Sequence, residues 1–298
     1  MWGRSPVPLA TLGSRLACWR VSDYRTPVDE LPPDGIGLEE VLALERIDRD
    51  LYRASAVFEE AFPLYGGQVA AQALLAAGAT VPTDRVPHSL HGYFLRPGDS
   101  RAPVVFSVER DRDGGSFSAR RVVALQDGEV ILNLAASFAR EDCTAAEVAV
   151  LRMPAVAPPE APSQPPPRLL GHELVVPKQP GGLVTFPTRA WLRCTAVLPA
   201  GPLVDAAALT YLSDLFTGAG GLPASRGTWQ TTLDHSLWFH RPSRTGQWVL
   251  MDLVPRAVSR GRGMYDGTLW HPDGTLVASL AQETLFRPRT GDRLRRTG

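Results

Sequence analysis

The chain has 298 residues, 44% of them apolar and 21% charged, the balance of a globular protein with room for one large or two ordinary domains. Its 31 basic residues match 31 acidic ones, which excludes a global basic field of the kind that gathers nucleic acid or an acidic membrane. No apolar run approaches the roughly 20 residues a membrane-spanning helix requires, and Cys18, Cys143 and Cys194 have neither disulfide-scaffold nor metal-ligand spacing, so a reducing, cytoplasmic compartment is expected.

Residues 1–34 carry Arg4, Arg15 and Arg20, no acid before Asp23 and no clean apolar segment. A disordered N-terminal extension is expected there, with an organellar transit peptide as the alternative. Residues 35–150 read as a first unit. Its "YGGQVAAQALLAAGATV" (Tyr65–Val81) opens on two glycines and is apolar nearly all round, which predicts a buried helix. From His88 to Arg140, alternating patches broken by turns at Pro97-Gly98, Asp113-Gly114 and Asp127-Gly128 predict an antiparallel meander.

Proline then breaks the chain. "MPAVAPPEAPSQPPPRLL" (Met153–Leu170) has too much proline for helix or sheet interior, so residues 151–170 read as an extended linker. Residues 171–298 repeat the order of the first unit. "DAAALTYLSDLFTG" predicts a helix with Asp205 at its N-cap and Gly218 at its C-terminal stop. A second antiparallel stretch follows from Leu233 to Arg287.

The halves align. "FLRP" (Phe94–Pro97) matches "FHRP" (Phe239–Pro242), a shift of 145 residues, and "DGEVILNLAASF" (Asp127–Phe138) matches "DGTLVASLAQET" (Asp273–Thr284), a shift of 146. A repeat of that size is a duplicated fold. A sheet wrapped around one buried helix, made twice, is an α+β architecture.

The register isolates three polar residues. In "LVASLAQETLF", Leu276, Ala278, Leu280, Gln282, Thr284 and Phe286 share one face, apolar until Gln282 interrupts it. Ala136 holds the same place in the first half, so the fold itself does not require a glutamine there. Asp214 follows Ala207, Thr210 and Tyr211 at i, i+3, i+4, i+7 on one helix face, whereas Gln68–Ala77 contains no acid. Thr232 aligns with Pro87. Singly, each reads first as a satisfied core or surface group; together in one copy they read as a site.

"YGGQVAAQAL", "HGYFLRPGD", "GGSFSARRV" and "DHSLWFHRP" together resemble the acyl-CoA thioesterase II family, from about Gly37 to Pro288 apart from the proline linker. The resemblance implies a double hot-dog, two central helices each wrapped by an antiparallel sheet, the sheets joined into one. It also implies a catalytic Asp on the second central helix, a Thr just before "DHS" and a Gln on a late strand, which fall on Asp214, Thr232 and Gln282. A homodimer or homotetramer acting on fatty acyl-CoA without metal or cofactor is implied too. "FTGAGGLPASRGTWQT" (Phe216–Thr231) departs from the family pattern by being shorter and richer in glycine, so acyl chain length stays unassigned.

These groups suit a thioester. Its leaving thiol has an ordinary pKa near ~8.5, so the sulfur needs little help from a general acid. The site must place a water, take its proton and stabilise an oxyanion. Asp214 is the base or water-orienting group, and the Thr232 hydroxyl and Gln282 amide fix the water. Backbone N–H groups opening a central helix suit the oxyanion, which assigns Gly66 and Gly67 to substrate binding; a tight strand-to-helix turn is their alternative use.

Other chemistries lack their residues. "GGSFS" (Gly114–Ser118) fails as G-x-S-x-G because Ser118 stands where the last glycine belongs. His88 and His91, three apart, are expected on opposite faces of a strand and so are read as ordinary histidines. The arginines of "SARR" are expected in surface salt bridges, with coenzyme A phosphates as the alternative. A hot-dog hydratase needs a histidine near its central helix, and residues 196–214 have none. A non-catalytic acyl-CoA-binding protein is the rival outside enzymology.

Overall fold

Alternation and helix breakers set the elements that the computed structural model contains. It describes residues 36–57, 63–141, 150–160, 170–180, 187–215 and 228–288. The first half contributes α1 (Leu38–Leu42), β1 (Glu45–Asp48), β2 (Leu51–Ala54), α2 (Gly66–Gly78), β3 (Arg85–Phe94), β4 (Val104–Asp113), β5 (Phe117–Gln126) and β6 (Glu129–Arg140). The second contributes β7 (His172–Val175), β8 (Arg189–Cys194), α3 (Pro202–Ser213), β9 (Thr228–Thr232), β10 (Asp234–Phe239), β11 (Val249–Ser259), β12 (Arg262–Trp270) and β13 (Leu276–Pro288). Residues 1–34, Gly218 and the rest of 216–227 in the glycine-rich segment lie outside the described residues. No described helix is long and apolar enough to cross a membrane.

The strands form one antiparallel sheet in the order β1-β2-β4-β5-β6-β3-β10-β13-β12-β11-β8-β7, with β9 added beside β13. The order is a palindrome about the β3–β10 seam, as expected of a duplicated unit whose sheets have joined. This is the double hot-dog. The two long helices lie inside it, antiparallel: Gly67 at the start of α2 faces Tyr211 near the end of α3, and Gly78 at the end of α2 faces Leu203 near the start of α3. Both are rich in alanine, which lets helices approach closely, and α2 is buried on nearly every side.

Helix α3 begins earlier than its sequence suggests. Its N-cap is Gly201 and Pro202 takes the first turn, where a missing N–H and a fixed φ favour the helix. Asp205 is therefore inside the first turn, and its carboxylate accepts the N–H of Thr245 instead of capping. Asp214 is not inside the helix but closes it, at φ −98° and ψ 9°.

A β-bulge occurs at the same place in both copies. Pro87 pairs with Phe138 and Ser89 with Ser137, so His88 is an extra residue. Thr232 pairs with Thr284 and Ser236 with Ala281, which leaves one extra residue between β9 and β10. There the Leu233 N–H donates to the Glu283 carbonyl, and the Asp234 carboxylate accepts the Glu283 N–H at 2.7 Å. An extra residue re-aims the side chains beyond it. His88 and His91 thus share the outer face, contrary to strict alternation: His88 bonds Ser137 while His91 packs edge-on to Trp238.

The described part of the linker is irregular but anchored. Met153 and Val156 pack on the Trp191, Leu250 and Trp270 cluster, and the Ala157 carbonyl accepts the Trp191 indole N–H at 2.8 Å. The two arginines of "SARR" separate by alternation. Arg121 makes surface ion pairs with Glu109 and Asp111, but Arg120 is fully buried, bonded to Thr80 and Asp113.

The helix contact yields a test. A Cβ on Gly67 would lie 2.5 Å from the Tyr211 carbonyl oxygen, which is backbone and cannot rotate away. Gly67→Ala is expected to lower unfolding free energy by about 1–3 kcal/mol in urea titrations, whereas Gly115→Ala, which meets nothing within 4 Å, stays within about 0.5 kcal/mol of wild type.

Candidate active site

Where α3 ends and α2 begins, one carboxylate is surrounded by donors. Asp214 is buried, and its Oδ1 accepts the Gln282 amide N–H at 2.8 Å and the Thr232 hydroxyl at 3.0 Å. The second Gln282 N–H donates to Thr232 Oγ1 at 2.9 Å. From the facing helix, the Gly67 N–H donates to the same carboxylate. A Cβ on Gly66 would stand 2.5 Å from Asp214 Oδ2, so only glycine lets the carboxylate come this close. The three residues isolated by the asymmetry of the repeat are thus in mutual contact, and Gly66 and Gly67 lie against them.

Each residue is placed by its element. Gln282 is on the inner face of β13 between Leu280 and Thr284, as alternation predicts. Thr232 is the last residue of β9, directly across from Thr284. Tyr65, the residue preceding α2, donates its phenol O–H to the Tyr211 carbonyl at 2.6 Å and meets the Tyr211 ring edge-on. The His172 ring stacks on the Tyr211 ring.

Burial raises the Asp214 carboxyl above the usual carboxylate range, because an ion loses its hydration there. The charge of His235, the Gln282 and Thr232 hydrogen bonds and the Gly67 N–H oppose the rise without cancelling it. The N-terminus of α2 adds its partial positive charge on the same side. A carboxylate with a raised pKa is a better base than a solvated one.

The alignment of motifs does not single out His235, which completes the cluster. Its Nδ1 lies 2.6 Å from Gln282 Oε1 and its Nε2 lies 2.7 Å from Ser213 Oγ. Its counterpart 145 positions earlier is Leu90, so the same comparison that isolates Gln282 against Ala136 also marks His235. Thr284 is a further departure, standing where the first copy has Phe138; it is buried and its hydroxyl has no partner among the described residues. Among those residues, no group of three or more His, Cys, Asp or Glu stands close enough to share a metal ion.

Comparison with known proteins agrees with the fold. Residues 57–139 match a family model described as the acyl-CoA thioesterase N-terminal domain, and residues 148–286 match one described as the acyl-CoA thioesterase C-terminal domain. Acyl-coenzyme A thioesterase 8 of Homo sapiens is 34% identical over 290 residues, covering 83% of this chain and 88% of that protein. Acyl-CoA thioesterase 2 of Haemophilus influenzae is 32% identical over 278 residues, covering 83% of this chain and 96% of that one. The crystal structure of acyl-CoA thioesterase II TesB2 from Mycobacterium marinum matches with a TM-score of 0.71 at 36% identity, over 85% of this chain and 98% of that one.

The electrostatics of Asp214 predict a pH signature in stability. A carboxyl raised by folding contributes stability that is complete below its unfolded pKa and is lost as pH rises through the folded value. Asp214→Asn removes that titration. The difference in Tm, variant minus wild type, is therefore expected to grow more positive as pH rises from about 4. A difference that stays flat between acid and neutral pH would contradict a raised Asp214.

Proposed function

The chain belongs to the acyl-CoA thioesterase II family, and from that premise we propose that it hydrolyses fatty acyl-CoA with a water held by Asp214, Thr232 and Gln282. The observation that carries the assignment is the contact of these three side chains at the end of α3. Their first-copy counterparts at the strand positions are Pro87 and Ala136, which can neither hold a water nor take a proton.

In this reading the water oxygen attacks the thioester carbonyl carbon as the Asp214 carboxylate takes its proton. Both Gln282 N–H groups are committed to Asp214 and Thr232, so the amide fixes the direction of attack by holding the two oxygens that accept from the water. Because the Gly67 N–H is committed to Asp214, we assign the oxyanion to the Gly66 N–H at the start of α2. The tetrahedral intermediate then collapses, the carbon–sulfur bond breaks, and coenzyme A leaves as its thiolate, which takes the proton held by Asp214 and restores the carboxylate. A free fatty acid remains. The reading extends to a cytoplasmic homodimer or homotetramer.

Free thiol release from a panel of acyl-CoAs tests the assignment. Wild type is expected to turn over, and Asp214→Asn to lower kcat by about 100- to 10,000-fold at equal folded concentration. Thr232→Ala and Gln282→Ala are expected to lose less, each removing one of two groups that hold the water. Undiminished turnover in Asp214→Asn would sink the role given to that residue.

A further inference from the structure

The Gln282 amide can hold Asp214 and Thr232 in only one orientation. Rotated by half a turn, it would present Oε1 to the Asp214 carboxylate, and two acceptors would face each other. His235 bears on that choice from the opposite side. The ionised carboxylate only accepts, so the Gln282 NH2 faces it and Oε1 is left toward His235. The proton of that contact therefore belongs to His235 Nδ1, which donates to Oε1 at 2.6 Å. The imidazole is itself held by Ser213 Oγ at its Nε2, 2.7 Å away.

Building on the hydrolytic reading above, we propose that His235 is the positioning residue of this site, locking the Gln282 amide with its N–H groups toward Asp214 and Thr232. Among the described residues its side chain hydrogen-bonds Ser213 and Gln282, and neither Asp214 nor Thr232. The Ser213–His235 contact also has the geometry of a nucleophile and its base, which would mean an acyl-enzyme. Three observations decide against that role. Ser213 is fully buried, its hydroxyl also lies 2.8 Å from the Thr210 carbonyl as a donor, and the far nitrogen of His235 meets a neutral amide rather than a carboxylate.

The first copy shows that the fold tolerates the loss of this device. Leu90 occupies the counterpart of His235 and pairs with Ala136, the counterpart of Gln282, and both are buried. His235→Leu is therefore a substitution whose shape the architecture already accommodates. His235→Asn separates the two roles, since its amide N–H can replace the Nδ1 donor but leaves Ser213 without a base.

The experiment follows thiol release for wild type, Asp214→Asn, His235→Leu, His235→Asn, Gln282→Ala and the His235→Leu/Gln282→Ala pair, with Tm measured for each. His235→Leu is expected to lower kcat by about 100-fold with KM little changed, the scale of a misplaced catalytic group. His235→Asn is expected to recover most of that loss. The pair is expected to be only slightly slower than Gln282→Ala alone, because the positioning effect of His235 passes through that amide and only its direct electrostatic effect on Asp214 remains. Wild-type kcat in His235→Leu overturns the proposal. So does His235→Asn as slow as His235→Leu, which would favour the nucleophile reading of Ser213, or a loss that multiplies in the pair. Retained turnover in Asp214→Asn would instead overturn the Asp214-held water on which the proposal rests, and absent turnover in wild type would overturn the hydrolytic reading itself.

Discussion

A carboxylate closed off from water is the constraint around which this molecule is arranged. Burying an ion without partners costs several kcal/mol or shifts its pKa until it neutralises. Asp214 makes the problem worse by closing α3, since the end of a helix already carries partial negative charge. Antiparallel packing supplies the remedy. It brings the N-terminus of α2, with the Gly67 N–H, onto the same carboxylate, and two glycines leave room for the approach. Thr232 and Gln282 complete the set from the sheet. The group is more basic than a solvated carboxylate because the compensation is incomplete, and in the reading proposed above that basicity is what takes the proton of the water.

The sheet can deliver both strand groups only because of the bulge. Thr232 and His235 are three apart, and in an unbroken strand they would face opposite sides. The extra residue between β9 and β10 turns both inward, Thr232 across from Thr284 and His235 beside Gln282. The Asp234 carboxylate holds the Glu283 N–H at that break. The bulge is older than the site in the sense that both copies have it, and in the first copy it serves Pro87 and Leu90. Substitution within an existing backbone, not a new backbone, distinguishes the second copy.

This explains what the sequence reveals and what it conceals. The duplicated sheet, both buried helices, Asp214 and Gln282 are legible because alternation and the repeat register each report one residue at a time. His235 is concealed from anyone counting along the strand from Thr232, since the count places it outside. Only the comparison with Leu90 reveals it. Alternation puts Arg120 and Arg121 on opposite faces, but that a core-facing arginine is satisfied there depends on Thr80, 40 residues away, which local sequence does not reveal. Asp205 has the residue type of a cap, yet Pro202 starts the helix one turn earlier and leaves the carboxylate to Thr245.

Arg120 also shows what the corresponding corner becomes in the first copy. It pairs with Ala136 on the sheet, as Tyr265 pairs with Gln282, so the two occupy equivalent inner positions. From there Arg120 donates to the Thr80 carbonyl and hydroxyl, just beyond the C-terminus of α2, and to the Asp113 carboxylate. A cation at that end of a helix is favoured by the dipole, and its paired carboxylate keeps it from being an isolated buried charge. The second copy puts an anion at the matching end of α3 and needs the other helix, a threonine and a glutamine to hold it. One corner follows the electrostatic preference of a helix terminus and the other opposes it. Opposition of that kind persists only where the surrounding structure enforces it, which is why the neighbours of Asp214 are tied to one another as well as to the carboxylate.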